Sequence, residues 1–374
     1  MSKHDYYIGL MSGTSIDSID AALVDFNKSS EKIVSTHSLP VPEETKQKIL
    51  ALTLPGDNEI SRMRELDQVL ATLFSDAALA TCKKSRILTK EIKAIGSHGQ
   101  TIRHYPKTAD TTGFSLQIAD PNIIAERTGI TTIADFRRRD IAAGGHGAPL
   151  APAFHAAAFG NNEKSHIVIN LGGIANLSYI PPQGDTIGFD SGPANILLDS
   201  WCQRHKQQAY DHNGLWAKSG KVNKRLLCEL LDHPYFALPY PKSTGRETFN
   251  SQWLQGLLNN FDDDLNTNDV QATLLALTTQ SIAQAVEQLD RANAAAIYVC
   301  GGGAKNETLM HQLGTQLTPR KLDTTAALGI EPEWVECAAF AWLAKQTMQH
   351  RPCNLPTVTG AKRPVILGGV YWGN

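Results

Sequence analysis

Ile8-Gly9-Leu10-Met11-Ser12-Gly13-Thr14-Ser15-Ile16-Asp17-Ser18-Ile19-Asp20-Ala21-Ala22-Leu23-Val24 is the run from which the fold is read. An apolar segment enters it, an alternating apolar segment leaves it, and Gly, Ser and Thr lie between. That pattern predicts a β-hairpin with a small-residue tip. The tip presents backbone N–H groups and hydroxyls with little bulk in the way. Successive N–H groups form a concavity suited to a polyphosphate. An ordinary hairpin, with Gly13 serving only its turn, fits the same letters.

Half a chain later, Ile167-Val168-Ile169-Asn170-Leu171-Gly172-Gly173-Ile174-Ala175-Asn176-Leu177-Ser178-Tyr179-Ile180 repeats the pattern around two glycines. Two α/β halves that each open on such a hairpin predict a duplicated fold with a cleft between the halves. A chain of 374 residues is also too long for one ordinary core. The break Gly144-Gly145-His146-Gly147-Ala148-Pro149 reads as the hinge region. The expected division is an N-terminal α/β domain over 1–140, with 352–374 as its candidate completion, and a second α/β domain over 141–351.

With 42% hydrophobic and 19% charged residues the composition is globular. A net charge of −2 carries no footprint for nucleic acid or an anionic membrane surface. The six cysteines are scattered without a C-x-x-C pair, which predicts free thiols in a reducing compartment. The first five residues lack signal-peptide form, and no apolar run is long enough to span a bilayer. The expectation is a soluble cytoplasmic protein.

Further stretches carry chemistry. The short strand Ala94–Gly96 runs into Ser97-His98-Gly99-Gln100-Thr101-Ile102-Arg103-His104. A polar loop after a strand is where α/β sheets hold ligands, so His98, Gln100, Arg103 and His104 are candidates for binding a sugar; a solvated loop is the alternative. In Asp135-Phe136-Arg137-Arg138-Arg139-Asp140 the three arginines cannot all point one way. One is expected to pair with Asp135 or Asp140, leaving another for a ligand carboxylate or phosphate. Ile187 to Asp199 reads as strand, carboxylate, tight turn, helix. That places Asp190 at the carboxyl end of a strand, facing a helix N-terminus, either as a general base or as a helix cap. Lastly, Ala296–Cys300 is a strand ending in Gly301-Gly302-Gly303 before a helix from Glu307. Three glycines there admit a flat ring or a phosphate to the backbone. Neither G-x-G-x-x-G nor a Walker motif is present. The loop Lys242-Ser243-Thr244-Gly245-Arg246-Glu247 covers a ligand or braces the surface, and Glu336 opens a helix, where a carboxylate is favourable.

Taken together, Met11-Ser12-Gly13-Thr14-Ser15-Ile16-Asp17, Ser97 to Thr101, Asp135 to Ala142, Asn170 to Leu177, Phe189 to Pro193, Lys242 to Glu247 and Cys300 to Gly303 resemble the anhydro-N-acetylmuramic acid kinases. The ordered motifs run from Ile8 to about Gly368. The family lies in the sugar kinase, Hsp70 and actin superfamily. The resemblance implies two α/β domains of the actin-like ATPase type (a duplicated ribonuclease H-like fold) that close over ATP and a sugar, in a homodimer. It also implies phosphorylation of O6 of 1,6-anhydro-N-acetylmuramic acid by ATP while water opens the anhydro bridge, in recycling of cell-wall sugars.

Carried onto this chain, the resemblance makes Asp190 the base. His98, Gln100, Arg138 and Glu336 become sugar-binding residues. Gly13, Thr14, Ser15, Ile16, Asp17, Ser18, Ile19 and Asp20 cradle the phosphates with Mg²⁺, while Gly172, Gly173, Gly301, Gly302 and Gly303 contact the nucleotide. The direct Mg²⁺ ligands stay open among Asp17, Asp20 and Asp190. The chain departs from the family pattern at Ser18, His146, Ala194 and Cys337. An ordinary superfamily kinase acting on a free amino sugar, and a non-catalytic sugar-responsive regulator, are the alternative functions.

Overall fold

The computed structural model describes residues 4–27, 32–105, 111–261 and 265–374. Of the five N-terminal residues read above, the first three lie outside the described residues. In chain order the strands are β1 (Tyr6–Met11), β2 (Ser18–Asp25), β3 (Lys32–Pro40), β4 (Ile92–Ser97), β5 (Gln100–Tyr105), β6 (Phe114–Ile118) and β7 (Thr132–Ala134). Then follow β8 (His166–Leu171), β9 (Ile174–Ile180), β10 (Ile187–Pro193), β11 (Ala296–Cys300), β12 (Leu322–Thr324) and β13 (Gly369–Tyr371).

The chain divides into two compact units. The first sheet runs β13-β7-β4-β1-β2-β3 and the second runs β10-β9-β8-β11-β12. Leaving β13 aside, both have the same plan. Three strands form an antiparallel meander, and two further strands add in parallel beside the first of them. The duplication expected from the two hairpins is therefore present, as the ribonuclease H-like arrangement of the actin-like ATPase class. The second hairpin of the first unit, β5 with β6, stands as a separate two-stranded sheet.

Period-two alternation explains the first unit's layers. Ile8 and Leu10 point into a core with Leu66, Leu70 and Phe74 of the helix Glu59–Ser85. Gly9, between them, points the other way. In the ladder it sits beside Gly96 of β4. The helix Val335–Met348 lies directly on this pair: a Cβ on Gly9 would overlap the Cys337 carbonyl, and one on Gly96 the Phe340 carbonyl. Only two aligned glycines let a helix backbone approach a sheet this closely.

That packing corrects the expected domain limits. The units are 1–158 with 334–374, and 159–333. The helix Val335–Met348 belongs with the first sheet, and residues 144–149 lie inside the first unit, not at its border. Asp140, fully buried, explains the second point. It accepts the Gly147 N–H at 2.8 Å and also the Asn354 amide and Thr359 hydroxyl, each at 2.7 Å, binding the C-terminal segment to the helix Phe136–Ala142.

In the second unit, the apolar faces of β8 to β11 pack against the helices Asn195–Lys206, Thr267–Leu289 and Glu307–Leu317. No helix among the described residues is long and apolar enough to cross a membrane.

Candidate active site

In the second unit everything converges on Asp190. It lies within β10, three residues before the strand ends, and is buried. It does not sit at the strand's carboxyl end facing a helix N-terminus, as the sequence led us to expect. The ladder to β9 is interrupted by a bulge between Asp190 and Gly192, and bulges re-aim side chains next to active sites. The loop Lys242–Thr244 then grips the residue. Ser243 Oγ donates to Asp190 Oδ2 at 2.7 Å and the Thr244 N–H donates to the same oxygen at 3.0 Å. The Asp190 N–H donates to the Lys242 carbonyl at 3.1 Å, and the Tyr235 hydroxyl to the Asp190 carbonyl at 2.6 Å. Main chain and carboxylate are both fixed. Two donors to one oxygen hold the carboxylate in a single orientation.

The helix N-terminus that the sequence assigned to Asp190 serves the second hairpin instead. The N–H groups of Ala194 and Ile196 donate to the Gly173 carbonyl, and that of Asn195 to the Gly172 carbonyl. The Asn195 side chain adds bonds to the Leu171 and Gly172 carbonyls. Gly172 and Gly173 thus form a turn tied to the helix start. The three glycines after β11 also divide. A Cβ on Gly301 or Gly303 would press into Asn170 or Leu171 of β8, whereas one on Gly302 meets open space. Gly301 and Gly303 serve packing, and Gly302 is the position with room for a ligand.

In the first unit, the turn between β1 and β2 exposes Thr14 and Ser15. It is anchored by Ile16, which is buried and held at φ 58°. A β-branched residue in the left-handed region is strained, and such strain collects where a loop must hold one shape. Asp17 pairs with Lys46 at 2.5 Å. Ser18, Ile19 and Asp20 belong to β2, not to the loop. The side chain of Ile19 is fully buried in the core. Asp20 Oδ1 accepts from Ser18 at 3.0 Å and from Ser38 at 2.6 Å.

Beside this turn stands a histidine cluster. Gln100 opens β5 rather than lying in a loop, and its Oε1 accepts from Ser12 Oγ at 2.7 Å. The side chain links the phosphate-turn candidate to the polar stretch. His98 Nδ1 bonds to the Gly99 carbonyl at 2.9 Å, and its Nε2 faces the Arg137 guanidinium at 2.9 Å. Burial, and then the Arg137 charge, push the His98 pKa well below its ordinary value. The ring is therefore neutral, with Nδ1 carrying the proton and Nε2 accepting. His104, close by, is pushed down to about 4 by burial and then by Arg137 and His146.

Arg137 is the arginine turned to this cluster, and it donates to the Gly147 carbonyl at 2.8 Å as well. Arg138, chosen from the sequence, is 69% exposed and bonded to Asp135 at 3.1 Å. It is the structural partner of the three. Glu336 lies in the first turn of the helix Val335–Met348 and is half-buried. Phe340 of the same helix packs against His98 with the rings tilted at 49° and their centroids 4.8 Å apart.

The sequence pattern describing anhydro-N-acetylmuramic acid kinases matches residues 5–373. The chain belongs to this family. A relative from Shewanella oneidensis bearing that name is 51% identical over 98% of both chains. Another from Coxiella burnetii is 49% identical over 98% of this chain and 97% of its own. Among solved structures, the activator of 2-hydroxyisocaproyl-CoA dehydratase from Clostridium difficile is 13% identical, with a TM-score of 0.44 over 92% of this chain and 97% of that one.

For a kinase of this family the question is which groups hold charge. Among the described residues no three acidic, histidine or cysteine side chains form a metal cage. Mg²⁺ needs none, since one or two carboxylates plus substrate phosphates suffice. Asp20 fits that demand, because both of its side-chain donors among the described residues use Oδ1. Reading the sequence missed Ser243, Thr244 and Tyr235 as the holders of Asp190, although the first two stood in a quoted motif. It also missed Arg137, whose orientation only the helix phase decides.

Proposed function

We propose that the protein transfers the γ-phosphoryl group of ATP to O6 of 1,6-anhydro-N-acetylmuramic acid while water opens the anhydro bridge. The products are N-acetylmuramic acid 6-phosphate and ADP. The observation that carries this reading is a buried carboxylate, Asp190, gripped on one oxygen by Ser243 and Thr244 at a strand bulge. Asp190 takes a proton from water, and the water oxygen bonds to C1 on the face opposite the bridge. The C1–O6 bond breaks. This is the task of the base in an inverting glycosidase. The released O6 then bonds to the γ-phosphorus and ADP leaves, a step governed by positioning and charge neutralisation.

His98, Gln100 and Arg137 are the sugar-binding group of the first unit, with neutral His98 Nε2 fixed by Arg137. Glu336 orients the sugar. The turn from Gly13 to Asp17 cradles phosphate oxygens through its N–H groups, with Asp20 for Mg²⁺, and Gly302 receives the adenosine. Mg²⁺, when bound, neutralises charge on the phosphates. The role that follows is recycling of cell-wall sugars in the cytoplasm, by a homodimer.

The test is ADP release with Mg·ATP and either the anhydro sugar or open-ring N-acetylmuramic acid. Turnover with the anhydro sugar alone is expected. Turnover only with the open sugar would make Asp190 the base for a free hydroxyl and the protein an ordinary sugar kinase. Activity with neither would overturn the catalytic reading.

A further inference from the structure

One row of side chains crosses four strands of the second sheet. Asp190 on β10 lies opposite Asn176 on β9, Asn176 opposite Asn170 on β8, and Asn170 opposite Cys300 on β11. Residues directly opposite in a ladder project from the same face, with Cβ atoms about 5 Å apart. The next row, Phe189, Leu177, Ile169 and Val299, is wholly apolar and buried. A polar row in such a sheet calls for an explanation.

Part of it is internal. Cys300 Sγ donates to Asn170 Oδ1 at 3.8 Å, and a Cβ at Gly301 would meet the same oxygen. Asn176 has no such account. Its Oδ1 is buried and accepts no hydrogen bond among the described residues. Buried amide carbonyls without a donor are rare, and one beside a catalytic carboxylate points to a donor that arrives with the reaction. Ser243 and Thr244 both donate to Asp190 Oδ2, and the Asn176 side-chain oxygen has no donor among the described residues.

We propose that Asn176 is a catalytic residue that holds the attacking water across the strand from Asp190. The inference rests on the reading of Asp190 as the base. Water has two hydrogens. One passes to the Asp190 carboxylate as the oxygen bonds to C1. The other stays on that oxygen, becomes the hydrogen of the new C1 hydroxyl, and is donated to Asn176 Oδ1 throughout. Two acceptors on neighbouring strands fix the two O–H directions, and so turn the oxygen lone pair toward the anomeric carbon. A base alone would leave the water free to rotate about its single hydrogen bond, and misorientation of that kind is costly.

The experiment measures Asn176→Ala and Asn176→Ser with the anhydro sugar and Mg·ATP, together with product partitioning in water–methanol mixtures. Methanol has one hydrogen and a methyl group where water has its second hydrogen, so the native site should reject it. In Asn176→Ala, kcat is expected to fall about 10²-fold with the KM of both substrates within about threefold. The methyl glycoside 6-phosphate fraction should rise about tenfold over wild type. Asn176→Ser, whose hydroxyl can accept, should recover part of kcat and keep methanol out better than alanine does. An unchanged methanol fraction in both variants would overturn the proposal, whether or not kcat falls, because a purely structural asparagine would lower activity without changing the choice of nucleophile. Should alanine fail to fold, the serine variant alone decides: a methanol fraction and kcat equal to wild type within twofold would sink the idea. Failure of the underlying reading is distinguishable, since it appears in the wild type as lack of turnover with the anhydro sugar.

Discussion

The two glycine-turn hairpins occupy the same place in two sheets of the same strand order, yet they end differently. The first turn is six residues long, with Thr14 and Ser15 exposed and Ile16 strained beneath them. The second is two residues long, and its carbonyls are bonded to the start of the helix Asn195–Lys206. The parallel strands beside them differ likewise. After β4 comes the His98–Arg137 cluster, whereas after β11 come glycines of which two are packed against β8. One frame has been left open at one hairpin and closed at the other. The second unit spends its polar groups on a neighbouring strand, where the bulge at Asp190 lies. Duplication supplied the scaffold, and local turn chemistry assigned the work.

The comparison breaks most sharply at Asp190. Asp190→Asn is expected to lower kcat about 10³-fold, with nucleotide affinity by calorimetry within about threefold of wild type. Lost nucleotide binding with turnover intact at saturating ATP would move the base elsewhere. Next come the glycines. Gly9→Ala forces the helix Val335–Met348 off its sheet and should cost about 3 kcal/mol in denaturant unfolding. Gly302→Ala, with open space at its Cβ, should stay within about 0.5 kcal/mol of wild type yet weaken nucleotide binding. Equal destabilisation by the two would erase the distinction drawn between packing and ligand glycines.

Burial lowers histidines in both units, His205 and His233 in the second among them, and the shifts to about 4 and about 3 lie in the first. His98, His104 and His155 of the first unit are all held neutral by burial, with His104 pushed down to about 4 and His155 to about 3. An unfolded chain takes up protons at these histidines as pH falls through 6.5, and the fold does not. Their contribution is therefore complete at neutral pH and drains away below 6.5 until the folded values are reached. The loss is about 1 kcal/mol per histidine for the first pH unit. Urea unfolding monitored from pH 7.5 to about 5 should show it, and replacing His155 by a neutral residue should flatten the slope. A slope unchanged by that replacement would refute the assignment. The smallest effect expected is in the arginines: Arg137→Ala should raise the KM for the sugar about tenfold, and Arg138→Ala should leave it within about twofold.

Much of the fold was legible. Alternation around small residues marks both hairpins without tertiary knowledge, and the echo between them announces the duplication. The domain limits were not legible, because the partner of the helix Val335–Met348 is decided by two glycines aligned across strands, Gly9 and Gly96, nearly ninety positions apart in sequence. The place of Asp190 within its strand was not legible, since a bulge is one extra residue with no letter of its own. Ile19 was assigned to the loop because a hairpin's alternation does not say where the turn stops. Arg137 and Arg138 are adjacent letters that a helix turns about 100° apart. The first meets His98 and the second meets Asp135.

The placement of the helix Val335–Met348 also bears on how the protein is made. The second unit, 159–333, is one uninterrupted stretch and holds all of its own strands when residue 333 leaves the ribosome. The first unit is not. Four of its six strands, β1 to β4, lie within the first hundred residues, and Gly9 and Gly96 on them await a helix encoded more than two hundred residues later. The unit that begins the chain is thus the last to be completed, and during synthesis its bare glycine floor is the surface a chaperone would have to shield.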